Sequence, residues 1–554
     1  MDPMTGKCRL AWVAALMGLL GCLADCRVVG SRPPRPKLVV LITVDQLRAD
    51  LLDRYDKLFN GGFRRLRDQG MRFTNTTVDH AITVSHPGHV TLATGLVPAR
   101  HGIVDAAFFE GPPGQRHLVD SLQDTAESIV GQPAQKGVSP GKILAPTISE
   151  WIMAADPQSR CVALGSGQYA SLLHAGHARP DVYWYSSQAG LYVTSSYYRK
   201  DYPDWVEKFN REQVPKFIEA STPWELRVPE AGRELAFPDA MLYEGDKVHI
   251  TFPHRLEDAD PEGKLADPDV RKRALAWWIA TTPTLDAATL ALARESVTAL
   301  SLGQRASLDY LSIVVSQVDD IGHFYGPFSL EQLDNLLRLD QELEEFFKFL
   351  DAKVGPGEYL VALSADHGVP NVPEQDLERG RQARRLKVEE IEAALAAVKK
   401  AASSPGTPEE ITIRVSEVLN RYDFVADAMT PGPLLDPGPT CDPFTALYRN
   451  SYMADRVPRF PLFSLTHEGE GAGEYGLAVR LTRGTMIDLD PAVHGSPYEV
   501  DRQVPLVFMG PGIPHGRSDQ RARTVDVAPT LARLAGIPAP KGLDGQPLIL
   551  ARPR

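Results

Sequence analysis

Cysteine is scarce, five residues in 554, and no Cys-x-x-Cys pair occurs, so neither a thiolate metal site nor a disulfide-built scaffold is in view. Two readings stand for Cys161 and Cys441: a bridge formed in an oxidising compartment, or two separate thiols. Positive charge is also short. Lys and Arg total 59 against 71 Asp and Glu, a formal net charge of -12, and no Lys/Arg-rich face offsets it, which excludes a nucleic acid polymer as partner. The balance does not count against a small anionic ligand, whose binding depends on local groups. Internal repeats are absent. Disorder is excluded as the general state by 43% hydrophobic and 23% charged residues. The length calls for one large domain with insertions, or for two domains.

Residues 1–22 read as a signal segment. Lys7 and Arg9 precede an apolar run from Leu10 to Leu20, too short to span a bilayer comfortably, and Gly21-Cys22 follows. Leu19-Leu20-Gly21-Cys22 is also similar to a lipoprotein box, so secretion and lipid anchoring at Cys22, on an outer membrane, stand side by side. Either places the chain in the periplasm or outside the cell. Residues 23–36, ending in Arg32-Pro33-Pro34-Arg35-Pro36, form a stiff linker, and the main α/β domain is expected, in discontinuous pieces, over 37–548. Insertions are expected at about 181–285, rich in aromatics that suit packing, and at about 371–462.

Three segments carry the chemistry. Lys37 to Asp45, Leu311 to His323 and Tyr359 to Gly368 each run from a Val/Leu/Ile-rich stretch into acidic or imidazole residues. Such runs are buried strands of an α/β sheet, and their carboxyl ends form the crevice where ligands sit. The expected fold is therefore an α/β sandwich with a largely parallel central sheet, helices on both faces and inserted cap segments.

Asp319 and His323 are four apart, which one helical turn places on a common side. Asp366 and His367 are adjacent, which suits a sharp turn leaving a strand, although capping by Asp366 explains them equally well taken alone. Ser85, in Ser85-His86-Pro87-Gly88-His89, has two readings as well. It caps a helix with Pro87 in its first turn, or it is a nucleophile at the helix's positive end. No Gly-x-Ser-x-Gly elbow surrounds it, so a metal is the better activator of its hydroxyl. His494, in a loop, carries little signal by itself.

Taken together, the segments resemble the alkaline phosphatase superfamily, in the branch that groups secreted bacterial phosphatases with type I phosphodiesterases and nucleotide pyrophosphatases. The resemblance rests on Val44 to Asp50, Ser85 to His89, Thr94 to Ile103, Ala175 to His177, Tyr183 to Tyr185, Asp319 to Pro327, Ser364 to Gly368, His494 to Ser496 and Asp526 to Ile537. It implies two zinc ions, one held by Asp319, His323 and His494, the other by Asp45, Asp366 and His367 with Ser85 beside it. It further implies hydrolysis of a small phosphate ester through a phosphoserine on Ser85.

Departures from the branch bear on substrate. Ser85 stands where most members carry Thr. Ala106 occupies the position of an Asn found in monoesterases, and Val162 to Tyr169 lacks their Lys-x-Arg pair. A monoester carries about two negative charges, so missing cationic clamps should weaken its transition state more than a diester's. Ser166, Gln168, Tyr169, His174 or an arginine from Arg379 to Arg385 are the candidate replacements. Phosphodiesters or other singly charged esters are therefore narrowly preferred over a periplasmic alkaline phosphatase acting on monoesters, with a catalytically inactive metal-binding or surface-interaction protein as the third reading. His89 stands where a formylglycine sulfatase carries Arg, which argues against that branch. Monomer and dimer are both compatible with the sequence.

Overall fold

The computed structural model describes residues 35–459, 472–487 and 490–550. The expected signal segment, most of the linker and Cys22 lie outside these residues. Among the described residues no helix is long and apolar enough to cross a membrane.

Nine strands form the central sheet: β1 (Leu38–Val44), β2 (Met71–Thr77), β3 (Cys161–Gly165), β4 (Asp181–Ser186), β5 (Leu191–Val193), β6 (Asp309–Val315), β7 (Tyr359–Ser364), β8 (Leu506–Met509) and β9 (Gly516–Arg523). Their spatial order is β9-β2-β8-β7-β1-β6-β3-β4-β5. The centre is parallel, β7, β1, β6, β3 and β4 running together, while β8 and β5 run against their neighbours. The sheet is thus mixed but mainly parallel, with helices on both faces.

Strand β1 shows why. All seven of its residues are buried, as a strand covered on both sides requires. Its side chains alternate between two cores. Val40 and Ile42 pack on one face with Leu333, Leu336 and Leu343 of the long helix Leu330–Lys353. Val39 and Leu41 pack on the other with Leu531 and Ala532 of the helix Val527–Ala535.

The aromatic stretch after Asp181 is packing material. Tyr183, Tyr185 and Tyr192 are buried in the first of those cores, and the Trp205 ring meets Tyr183 edge-on at 5.4 Å. Its first residues belong to the sheet itself, as β4 and β5, and helices follow only from Asp204. Further along, Ile391, Leu395, Val415, Leu419 and Tyr448 build a separate core that also takes in Ala81 and Ile82, just ahead of Ser85. Cys161 lies buried on β3 and Cys441 is exposed, and both are free, so the bridged reading is excluded.

Candidate metal centre

Register brings the three chemistry-bearing strand ends to one edge. Val44 pairs with Val315 and Thr43 with Ser364 in the parallel ladders, so the residues that follow each strand emerge side by side. Asp45 comes directly off β1, its N–H donating to the Val315 carbonyl. After β6 the chain turns into helix α1 (Gln317–Tyr325), which carries Asp319 and His323 one turn apart. After β7 it leaves in an irregular turn that presents Asp366 and His367, both fully buried.

The side-chain atoms that could hold a metal fall into two groups, Asp319 with His367 and His494, and Asp45 with Asp366 and His367, each within 4.8 Å. His323 Nε2 adds itself at 3.4 Å from Asp319 Oδ1, and His494 Nε2 stands 3.3 Å from the same oxygen. His494 therefore belongs to the site although it arrives on a distant loop. His323 donates from Nδ1 to the Ala492 carbonyl at 2.7 Å, His494 to that of Thr83 at 2.8 Å, and His367 to that of Gly368 at 3.0 Å. Each of these bonds occupies Nδ1 and turns Nε2 toward the carboxylates, so that Nε2 is the nitrogen a metal would take once its proton is lost.

Charge tells the same story. Burial, and then the neighbouring Asp319, raises the Asp45 carboxyl above its ordinary range. Burial, and then Asp45, raises Asp366 well above it. Burial would raise Asp319 too, but His323 and His494 beside it hold it well below. Burial pushes His367 down to about 3. Asp366 Oδ2 is buried without a hydrogen-bond partner. Several carboxylates crowded out of water need a compensating cation, and an oxygen- and imidazole-rich donor set without thiolates suits a borderline divalent metal such as zinc.

Ser85 opens helix α2 (Ser85–Thr94), but the capping position belongs to Val84, whose backbone is extended, and no side chain caps the helix. The Ser85 hydroxyl is therefore not spent on capping. Its Oγ lies 3.2 Å from His367 Nε2 and 3.5 Å from Asp45 Oδ1, at the helix end where the dipole favours negative charge. One turn on, Gly88 allows the close approach this needs: a Cβ there would stand 2.6 Å from the Asp366 carbonyl oxygen.

The four residues offered as substitutes for missing cations have different surroundings. Tyr169 reaches the centre, its hydroxyl donating to Asp45 Oδ2 at 3.1 Å. Ser166 turns away and donates to Asp286 Oδ1 at 3.2 Å. His174 is fully buried one layer back, its Nε2 3.1 Å from His89 Nδ1 and its Nδ1 2.9 Å from Ser312 Oγ. Gln168 opens a helix, and its side chain lies outside what is described. The arginines from Arg379 to Arg385 are engaged elsewhere. Arg379 lies over the Phe237 ring, Arg381 pairs with Asp376, Arg384 with Glu390 and Asp423, and Arg385 with Glu374.

Sequence reasoning passed over three neighbours. His89 is fully buried with Nε2 3.4 Å from both Asp45 Oδ2 and Asp366 Oδ2. His86, half-buried beside Ser85, has Nδ1 2.6 Å from Ser121 Oγ. Gln46 donates to ligands of both groups. All three lie within segments that carry the family resemblance, Val44 to Asp50 and Ser85 to His89, but no role was read for them at the metal centre.

A crevice at the carboxyl ends of a mainly parallel sheet, holding two clusters of carboxylate and imidazole beside a hydroxyl, defines a metal-dependent hydrolase of the alkaline phosphatase superfamily. Residues 39–432 match the type I phosphodiesterase / nucleotide pyrophosphatase family, and the chain belongs to that family. It is 30% identical over 577 residues to the alkaline phosphatase PafA of Elizabethkingia meningoseptica, covering 98% of this chain and 99% of the relative. It is 29% identical over 533 residues to the alkaline phosphatase PhoV of Synechococcus elongatus, covering 92% of each. The crystal structure of wild-type PafA superposes with a TM-score of 0.80 at 27% identity, over 94% of this chain and all of that one. A murine ectonucleotide pyrophosphatase/phosphodiesterase superposes at 0.50 and 13% identity, over 93% of this chain and 98% of its own, a likeness of fold.

Proposed function

We propose that this chain is a periplasmic or secreted phosphatase that hydrolyses small phosphate esters through a phosphoserine on Ser85. The observation that carries the reading is the place of Ser85 Oγ, 3.2 Å from His367 Nε2 and 3.5 Å from Asp45 Oδ1. Asp319, His323 and His494 would hold one zinc, and Asp45, Asp366 and His367 the other. Two zinc ions in such a site supply Lewis acidity and neutralise charge on the phosphoryl group. The Ser85 hydroxyl gives its proton to solvent as its oxygen attacks phosphorus in line. An Oγ–P bond forms, the ester P–O bond breaks, and the leaving oxygen takes up a proton. Water then releases inorganic phosphate and restores the hydroxyl. The N–H groups at the start of helix α2 face the same negative charge.

Phosphate monoesters are the preferred substrates in this reading, supported by relatives named alkaline phosphatases that match over nearly the whole chain. That reverses the order in which the two substrate classes stood on sequence alone. One observation favours the second reading, singly charged esters. Ala106 and Gly165 to Gln168 bring no positive side chain, and the nearby arginines of Arg379 to Arg385 are bound elsewhere. The ratio of aryl phosphate to bis-aryl phosphate turnover decides between them, a large monoesterase preference supporting the first and its inverse the second. An inactive surface protein is disfavoured, because a passive scaffold has no need of converging buried carboxylates. Mass analysis of the mature protein decides between plain secretion and a lipid on Cys22.

A further inference from the structure

Gln46 follows the first carboxylate of the centre and is the residue whose backbone is least at ease there. It is 1% exposed and left-handed, φ 63°, without being glycine, a conformation that persists only when the surroundings hold it. Two contacts do so. Its backbone N–H donates to Asp366 Oδ1 at 3.2 Å. Its side-chain Nε2 donates to Asp319 Oδ1 at 2.6 Å. One residue thus touches a carboxylate from each ligand group.

The amide at the end of that side chain is there for its donor. Gln46 Oε1 is buried and has no hydrogen-bond partner, a cost that a leucine or methionine of similar size would avoid. Helix α1 is cut to receive it. A Cβ at Gly322, between Asp319 and His323 on the helix and next to the latter, would stand 2.2 Å from Gln46 Oε1 and 3.1 Å from Gln332 Nε2. Gln332 in turn holds the helix by donating from Nε2 to the Val318 carbonyl at 2.6 Å. Asp319 Oδ1 is also the oxygen that His323 and His494 approach at 3.4 and 3.3 Å. Whatever turns that carboxylate therefore turns the whole ligand set.

We propose that Gln46 is a positioning residue that ties the two ligand groups together and sets the orientation of Asp319, with the bare flank of Gly322 as the recess that admits its amide. The inference rests on the two-metal reading above. Gln46→Met keeps the length of the side chain and removes the donor. Zinc affinity of the Asp319 group should fall about 10- to 100-fold, the range found when partners of metal ligands are removed, while the group of Asp45, Asp366 and His367 changes less than about threefold.

The test is stepwise zinc uptake by the full chain against a competing chelator, with the thermal midpoint of the metal-free protein and steady-state kinetics at limiting and saturating zinc. Gln46→Met should melt as the parent does when metal-free, lose kcat at limiting zinc and regain it at saturation, with KM little changed. Gly322→Ala should weaken the same zinc site by collision. Adding Gln46→Ala removes the amide and the collision together, so the double variant should lose far less than the product of the two single losses. Equal stepwise affinities in Gln46→Met and the parent overturn the proposal and leave the two-metal reading intact. If Gln46→Met does not fold, strictly multiplicative losses in the Gly322→Ala cycle overturn it. A parent that takes up no zinc overturns both.

Discussion

Ser85 Oγ lies 3.2 Å from His367 Nε2, one from the first turn of a helix and the other from the turn leaving a central strand. The contact joins a hydroxyl to an imidazole whose own Nδ1 is engaged at the Gly368 carbonyl. It makes Ser85 the group on which turnover should depend most. Ser85→Ala should keep the fold and the metal content and lower turnover at least about a hundredfold. Steady-state kinetics beside elemental analysis check this, and near-parental activity in a metal-replete variant rules the serine out.

His494→Ala should reduce zinc affinity and turnover together, with part of the activity returning at high zinc. Asp319 and His323 remain, but the imidazole 3.3 Å from Asp319 Oδ1 is gone. Loss of activity that excess zinc does not touch would assign His494 a different role.

Gly88→Ala places a methyl 2.6 Å from the Asp366 carbonyl oxygen and 2.7 Å from Asp366 Cβ. Neither is the end of a flexible chain. Overpacking of this kind costs about 1–3 kcal/mol, read as a lowered denaturation midpoint, and activity should fall with it because a ligand is displaced.

Asp286, which is not itself a candidate ligand, offers a test of pH dependence. Burial raises its carboxyl from 3.8 to about 7, and its Oδ1 accepts from Ser166 while Oδ2 has no partner. The folded form keeps its proton between pH 4 and 7, where the unfolded chain has released it, so the folded state binds more protons and this group lowers stability as pH rises through that window. Asp286→Asn removes the term. Relative to the parent, the metal-free variant should gain between about 1 and 4 kcal/mol on going from pH 4 to pH 8, measured by urea unfolding. A parallel dependence in both proteins counts against a neutral Asp286.

Much of this centre was legible because strand chemistry and ligand chemistry adjoin. The buried runs before Asp45, Asp319 and Asp366 announce parallel strands, and position at a strand's carboxyl end is itself the placement. The i, i+4 spacing of Asp319 and His323 added the helix. His494 was legible only by resemblance, since it leaves a loop with no periodicity. The start of the aromatic segment at Asp181 read as insertion because its strands are short and rich in tyrosine, yet β4 and β5 complete the sheet. Gln46 stayed hidden for a different reason. Gly322 reads from sequence as relief of crowding beside a ligand, but its pairing with a left-handed Gln46 is a property of two segments brought together by packing, which neither stretch shows alone. An arginine from Arg379 to Arg385 stood as a candidate pocket cation because ion pairing is not legible from sequence, and Arg381, Arg384 and Arg385 pair with acidic side chains instead.

The most direct test is the anomalous scattering of crystals of the zinc-loaded protein at the zinc edge. The account predicts two peaks about 4 Å apart, one against Asp45, Asp366 and His367, the other against Asp319, His323 and His494, with Ser85 Oγ facing the gap. A single peak, none at all, or a Ser85 hydroxyl turned away from both would contradict it.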